Sequence, residues 1–228
     1  MNVHICCLLM RDWPNDKKYV PGLGERYVKR LQMMAHRWAP DADFTCYSDH
    51  PIDGVRTRHV SPLTGYCWEK LYLFQPGEFA PGDRVLYVDL DTVICGDLTP
   101  LLYVDLAQPI FLDDRGPDGN WPNRRPGAGL FLFEYGPEVY HFWEDFLDCA
   151  PPATDELWFD QKLRGAWRSW SDAAPGKVLS YKWDIARRKQ LIGDARVIFF
   201  HCQPRPHTVN LPWNLHYETR NGDSASGR

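Results

Sequence analysis

The first fifty residues alternate between apolar runs and one amphipathic segment, and this order constrains the fold more than any other feature. Residues 3–10 form an apolar run typical of a buried strand. From 24 to 39 the apolar residues recur at helical spacing and stop at Pro40, and DFTCYSD at 43–49 is typical of a second strand. A strand, a helix and a strand in this order predict parallel strand pairing, because two parallel strands need a crossover connection.

The remaining sequence continues the same alternation. Further strands are predicted at 84–88, 109–112, 129–133 and 196–200, with helices before and between them. The chain of 228 residues is long enough for one large core. We therefore expect an α/β fold with a mostly parallel central sheet and helices on both faces. One domain should span residues 1–217, and the polar tail at 218–228 should be disordered.

Composition excludes several classes of partner. The formal net charge is -4, so a surface for nucleic acid or for acidic membranes is not expected. The seven cysteines form no C-x-x-C pair and several lie in apolar runs, which predicts reduced thiols and a cytoplasmic protein. No apolar run is long enough to cross a bilayer, so we expect neither a signal peptide nor a membrane span.

Two aspartates follow directly on the apolar strand VLYV. Asp89 and Asp91 are two residues apart, so on an extended segment their side chains project to one side and converge on a single ligand. Burying carboxylates is costly unless something compensates their charge. Hard divalent cations such as Mg²⁺ and Mn²⁺ bind one or two carboxylates together with substrate phosphates. The pattern therefore predicts a metal site at the carboxyl end of a strand, where open α/β sheets bind ligands.

The stretch LYVDLDTVICGDLTPL resembles the metal-binding segment of GT-A glycosyltransferases, especially family 8, the group that includes glycogenin and bacterial galactosyltransferases. Other stretches resemble that family in the same order. They are WEKLYLF at 68–74, GAGLFLFE at 127–134, FDQKL at 159–163 and HCQPRPH at 201–207. The resemblance spans nearly the whole chain and implies a GT-A fold.

The resemblance also implies an activity and a set of site residues. The activity is transfer of a hexose from a nucleotide diphosphate sugar, such as a UDP-sugar, to a hydroxyl acceptor, with retention at the anomeric carbon. His201 would join Asp89 and Asp91 as a ligand of Mn²⁺ or Mg²⁺. The candidates for nucleotide and diphosphate contacts are Tyr19, Lys70, Leu90 and Arg205. Asp160 and Gln161 would orient the acceptor or stabilise the sugar cation. The class of acceptor stays open.

Two other functions fit parts of the sequence. Asp89 to Val93 also match the D-x-D-x-T/V pattern of haloacid-dehalogenase-type phosphatases, in which Asp89 would be the nucleophile and Asp91 the acid or base. Against this, a nucleophile strand normally opens such a domain, whereas here it follows a complete strand–helix–strand unit. A non-catalytic protein that binds sugar nucleotides is the other alternative, because fold alone does not establish catalysis.

Overall fold

The computed structural model describes residues 1–11, 23–63, 68–114, 124–149, 152–200 and 203–209. Ten strands lie in these ranges: β1 Val3–Leu9, β2 Asp43–Ser48, β3 Thr57–His59, β4 Arg84–Val88, β5 Thr92–Ile94, β6 Ile110–Asp114, β7 Arg125–Glu134, β8 Arg168–Ser169, β9 Val178–Ser180 and β10 Val197–Phe199. The α-helices are α1 Leu23–Trp38, α2 Thr99–Leu102, α3 Pro137–Asp148, α4 Asp155–Leu163 and α5 Trp170–Ala173. Short 3-10 helices span Trp68–Phe74 and Pro206–Thr208, and a π-helix spans Tyr181–Arg187.

Seven strands form the central sheet in the order β3-β2-β1-β4-β7-β6-β8. The pairs from β3 to β4 are parallel, as is the pair of β6 with β8. Strand β7 runs antiparallel to both β4 and β6. The prediction of a mostly parallel α/β sheet is confirmed, and one reversed strand lies beside the strand that leads to Asp89.

Each face of the central sheet is covered by its own hydrophobic core. Alternate residues of β1 point to opposite faces, as the period of a strand requires. Ile5, Cys7 and Leu9 pack with α1 on one face. Cys6 and Leu8 pack on the other face, with the helix Trp68–Phe74 and with α3 and α4. Among the helices in the described ranges, none combines the length and the apolarity needed to cross a membrane.

A second, smaller sheet begins where β4 ends. Its order is β5-β10-β9, with β10 antiparallel to β5 and parallel to β9. The chain leaves the central sheet at Val88 and enters the small sheet at Thr92, so the segment between the two sheets carries both aspartates of the D-x-D pattern. This junction lies at the carboxyl end of β4, where the functional site was predicted.

Candidate functional site

A tight turn, and not an extended segment, brings Asp89 and Asp91 together. The amide of Thr92 donates a hydrogen bond to the carbonyl of Asp89 at 3.1 Å, which closes the turn between β4 and β5. The amide of Asp89 donates to the carbonyl of Gly129 at 2.8 Å and so continues the pairing of β4 with β7 by one residue. The backbone of Asp89 is therefore fixed by the large sheet, while Asp91 lies at the entrance to the small one.

Both aspartates line one cleft of about 100 Å³. Its walls come from five parts of the chain: the turn after β4, the end of β6, the start of β7, the first turn of α4 and the end of β10. The glycine-led segment Gly127, Ala128 and Gly129 forms one wall, and Phe199 and Phe200 form another. Glu156 of α4 and Asp113 of β6 also face the cleft, so four carboxyl groups surround it.

The carboxylate of Asp89 is held by neighbours on the protein side. Its Oδ1 accepts a hydrogen bond from the hydroxyl of Tyr87 at 2.7 Å and lies 3.4 Å from Lys70 Nζ. Its Oδ2 lies against Gly129, where an added Cβ would be 3.0 Å away. Glycine at this position therefore leaves room for the second carboxylate oxygen of Asp89.

Asp91 forms an ion pair with Arg205, which comes from the far end of the described chain. Arg205 directly precedes the short 3-10 helix Pro206–Thr208. His207, two residues after Arg205, hydrogen-bonds through Nδ1 to the hydroxyl of Tyr27 on α1. The structure thus places the guanidinium of Arg205 in direct contact with one of the two D-x-D aspartates.

Burial and mutual repulsion disfavour the ionised forms of the carboxyl groups in the cleft. Burial raises the pKa of Asp89, and the nearby ammonium of Lys70 opposes that rise. Burial and then the charge of Asp89 raise the pKa of Asp91 to about 7. Burial and then the charge of Asp155 raise the pKa of Glu156 to about 7. A bound cation would favour the ionised form of each of these carboxyl groups and so offset the effect of burial and repulsion.

The groups that the structure brings together suit a hard divalent cation. Asp89 and Asp91 supply oxygen donors at one side of the cleft, and Mg²⁺ or Mn²⁺ commonly binds one or two carboxylates plus the phosphate oxygens of a substrate. Within the described ranges, no cluster of three or more His, Cys, Asp or Glu side chains is arranged around a single point. The chemistry of the pair fits a cation that shares its shell with a bound diphosphate.

Helix α4 contributes two acidic residues that we did not predict as site residues. Thr154 caps the helix, because its side chain accepts a hydrogen bond from the amide of Leu157 at 3.3 Å. Trp158 and Phe159 are buried against the central sheet, so Asp155, three and four residues earlier, lies on the same inward face. Asp155 is only 2 % exposed, and Glu156 faces the cleft. An acidic residue in register with an apolar helix face was the signal that could have identified this pair.

Asp160 and Gln161 lie further along α4. The carboxylate of Asp160 is 3.8 Å from Arg125 Nε, and Gln161 is exposed. Asp160 follows Glu156 by four residues, so the two carboxyl groups share a helix face with Asp160 one turn away. Neither Asp160 nor Gln161 lines the cleft around Asp89.

Two of the other predicted site residues, Lys70 and Leu90, lie within the described ranges. Lys70 is 4 % exposed and lies among Asp89, Asp155 and the carbonyl of Ala128. Leu90 packs its side chain against the core. Tyr19 and His201 lie outside the described residues, as does the tail at 218–228. Phe199 and Phe200, which precede His201 in sequence, both line the cleft.

Comparison with known proteins gives no match in sequence and clear matches in structure. No protein-family model and no curated protein matches this sequence. The structure of an active-site mutant of LgtC has a TM-score of 0.60 at 14 % identity, and the alignment covers 93 % of this chain and 93 % of LgtC. A structure of galactosyltransferase LgtC in complex with donor and acceptor sugar analogues has a TM-score of 0.56 at 15 % identity, covering 89 % of this chain and 88 % of LgtC.

A larger solved glycosyltransferase contains the same architecture. The glycosyltransferase GlyE of Streptococcus pneumoniae TIGR4 has a TM-score of 0.62 at 15 % identity, over 93 % of this chain and 60 % of GlyE. The chain has the GT-A fold. This confirms the predicted fold class. The alignment with LgtC covers nearly all of both chains, so the shared fold is not confined to one part of either. At these identities the likeness establishes the fold and not the reaction.

Proposed function

We propose that this protein is a metal-dependent glycosyltransferase that moves a hexose from a nucleotide diphosphate sugar to a hydroxyl acceptor. The observation that carries the proposal is the convergence of Asp89, Asp91 and Glu156 on one cleft, with Arg205 from a distant part of the chain paired to Asp91. The cleft lies at the carboxyl end of a parallel strand in a fold shared with glycosyltransferases. The resemblance to family 8 supports a UDP-sugar as donor and retention of the anomeric configuration.

Each residue would have a distinct task. Asp89 and Asp91 would hold Mn²⁺ or Mg²⁺, and His201 is the third predicted ligand. When bound, the metal acts as a Lewis acid on the diphosphate leaving group. Arg205 carries a planar set of donors that suits phosphate oxygens. Its contact with Asp91 would hold it beside a diphosphate bound at the metal. Arg205 would share the negative charge that develops as the glycosidic bond breaks.

Glu156 is the best placed of the α4 residues to face the donor sugar. It lines the same cleft as the two aspartates, whereas Asp160 lies one turn further along the helix. A carboxyl or carboxylate at this position can hydrogen-bond sugar hydroxyls or stabilise positive charge at the reacting carbon. From the sequence, Asp160 and Gln161 would orient the acceptor or stabilise the sugar cation. With Glu156 facing the donor sugar, we propose the first of these tasks for Asp160 and Gln161.

Ligand-induced stabilisation tests the proposal without knowledge of the acceptor. We would measure thermal unfolding with UDP, GDP, CDP, ADP and inorganic phosphate, each with and without Mn²⁺, for the wild type and for Asp91→Asn. A ligand at about a thousand times its Kd stabilises the folded state by about 4 kcal/mol. We expect an Mn²⁺-dependent rise in Tm with one nucleoside diphosphate, and its loss in Asp91→Asn.

The control for this experiment is Asp53→Asn, which makes the same chemical change at a fully exposed aspartate. It should respond to nucleotide as the wild type does. Stabilisation by phosphate and Mg²⁺ alone, with no response to any nucleotide, would favour the phosphatase alternative with Asp89 as nucleophile.

The non-catalytic alternative predicts the same binding but no turnover. A transferase that has no acceptor can transfer the sugar slowly to water. Slow release of UDP from a UDP-sugar therefore distinguishes an enzyme from a non-catalytic binding protein. Release that depends on Mn²⁺ and on Glu156 would support an enzyme. Tight binding without any release, and without transfer to any of a panel of sugar acceptors, would favour a binding protein.

The free thiols of the five cysteines that the structure describes are compatible with the cytoplasmic location that we propose.

A further inference from the structure

The two oxygens of Asp89 have different surroundings. Oδ1 faces the protein, where it contacts the hydroxyl of Tyr87 and lies 3.4 Å from Lys70 Nζ. Oδ2 lies beside Gly129, and both Asp89 and Gly129 line the cleft. The negative charge that Asp89 offers to a ligand in the cleft depends on how strongly the ammonium of Lys70 neutralises this carboxylate.

Lys70 is a buried cation shared between two carboxylates. Its Nζ is 2.8 Å from Asp155 Oδ2, 3.0 Å from the carbonyl oxygen of Ala128 and 3.4 Å from Asp89 Oδ1. The closest partner is Asp155, which is 2 % exposed and belongs to the capped first turn of α4. Lys70 is thus drawn toward α4 and away from Asp89.

We propose that Asp155 is a positioning residue that keeps Lys70 from neutralising Asp89. Lys70 and Asp155 form a pair whose charges cancel, so that Asp89 keeps its negative charge for a divalent cation. Without the charge of Asp155, the ammonium would lose its closest carboxylate partner and would be drawn toward Asp89, which already lies 3.4 Å away. Since a lysine and a divalent cation compete for the same carboxylate, that movement would weaken cation binding. This inference rests on the metal role of Asp89 in the proposed function.

The test is the affinity for Mn²⁺ alone, measured by the loss of the electron paramagnetic resonance signal of the free aquo ion. Asp155→Asn keeps the shape of the side chain and removes its charge, and we expect it to weaken Mn²⁺ binding by about tenfold. The double variant Lys70→Met/Asp155→Asn also removes the competing cation. Its Mn²⁺ affinity should return to that of the wild type or exceed it, and replacing both members of a buried pair by neutral groups avoids an unpaired buried charge.

Asp83→Asn is the matched control. Asp83 is 3 % exposed and accepts a hydrogen bond from the amide of Asn2 at 2.6 Å, but it precedes β4 whereas Asp89 follows it. This variant should lose stability and keep its Mn²⁺ affinity. Thermal unfolding is measured for every variant as well, so that Mn²⁺ affinities are compared only between folded proteins.

The outcomes distinguish a failure of the positioning role of Asp155 from a failure of the metal role of Asp89. If Asp155→Asn binds Mn²⁺ as tightly as the wild type, or if the double variant binds as weakly as Asp155→Asn, the positioning role is wrong and the proposed function is untouched. If the wild type itself binds no Mn²⁺, the metal role of Asp89 fails and the inference fails with it.

Discussion

Gly129→Ala is the change that most directly tests the packing around Asp89. The added Cβ would lie 3.0 Å from Asp89 Oδ2 and 3.4 Å from Leu112 Cδ1. Non-bonded heavy atoms prefer separations of about 3.5 Å or more, so the carboxylate must move by roughly 0.5 Å. A movement of that size would lengthen the Tyr87 hydrogen bond, now 2.7 Å, to or beyond the limit of normal O–H···O geometry at about 3.0 Å.

The cost follows from this geometry. Overpacking a well-packed site costs about 1–3 kcal/mol, and we expect the lower end because the carboxylate can shift toward the cleft. For a chain of this length, about 1 kcal/mol corresponds to a fall in Tm of about 2–4 °C. Misplacement of a ligating oxygen by a fraction of an ångström should also weaken Mn²⁺-dependent nucleotide binding by about tenfold.

Gly136→Ala is the control for the same chemical change. Gly136 has a φ of 177°, which any residue adopts, and its added Cβ would meet only the end of the exposed Glu138 side chain. Both variants reduce the entropy of the unfolded chain equally, so that contribution cancels in the comparison. Scanning calorimetry and nucleotide titration should show losses for Gly129→Ala and near-wild-type values for Gly136→Ala. Equal behaviour of the two variants, or unchanged nucleotide affinity in Gly129→Ala, would refute the reasoning.

Three further outcomes are expected on α4. Thr154→Ala should destabilise the protein by about 1 kcal/mol in denaturant unfolding and weaken donor binding, because the cap fixes the turn that carries Glu156, whereas Thr154→Ser should be close to wild type. The folded protein holds a proton on Glu156 up to a pKa of about 7, above the ordinary value of 4.5, so this group stabilises the fold fully below pH 4.5 and progressively less up to pH 7. The free energy of unfolding of Glu156→Gln relative to wild type should therefore rise between pH 5 and 8, on the order of 2 kcal/mol, and a flat difference would contradict the burial of that carboxyl group. Glu156→Gln should alter the Mn²⁺-dependent release of UDP in the absence of acceptor, whereas Asp160→Asn and Gln161→Ala should act mainly on the acceptor KM; an equal effect of all three on UDP release would place Asp160 and Gln161 at the donor instead.

Most of the sheet was predictable from periodicity. The strands at 3–10, 43–49 and 84–88 were predicted within one or two residues. Strands β1 and β4 are apolar runs that are buried on both faces, and β2 is a short segment in which polar and apolar residues are mixed. Strands β3, β5, β8 and β9 were missed. Each has three residues or fewer, and so short a segment carries no detectable alternation.

The direction of β7 was not predictable in the same way. An apolar run such as GLFLF is compatible with either direction, and only the pairing with β4 and β6 shows that β7 runs antiparallel to both. The segment WEKLYLF forms a 3-10 helix with nearly every residue buried. Burial of its Lys70 depends on two carboxylates supplied from β4 and α4, and local sequence contains no information about such partners.

Sequence reasoning proposed only part of the residues that the structure brings together. The D-x-D spacing pointed to Asp89 and Asp91, and the resemblance to glycosyltransferases pointed to Arg205, whose contact with Asp91 joins positions 114 residues apart. Asp155 and Glu156 were not proposed from the sequence. Glu156 reaches the cleft and Asp155 reaches Lys70 only because α4 packs against β7, and no local pattern encodes that packing.

The most direct test of the central claim is the release of UDP from a UDP-sugar by the purified protein with Mn²⁺, compared with the same reaction after chelation and with Asp91→Asn. We expect slow but measurable release of UDP by the wild type. This release should be lost on chelation and restored by added Mn²⁺, and it should be at least a hundredfold slower in Asp91→Asn. Release that persists under chelation or in Asp91→Asn would contradict the claim that the two aspartates and a divalent cation activate the leaving group.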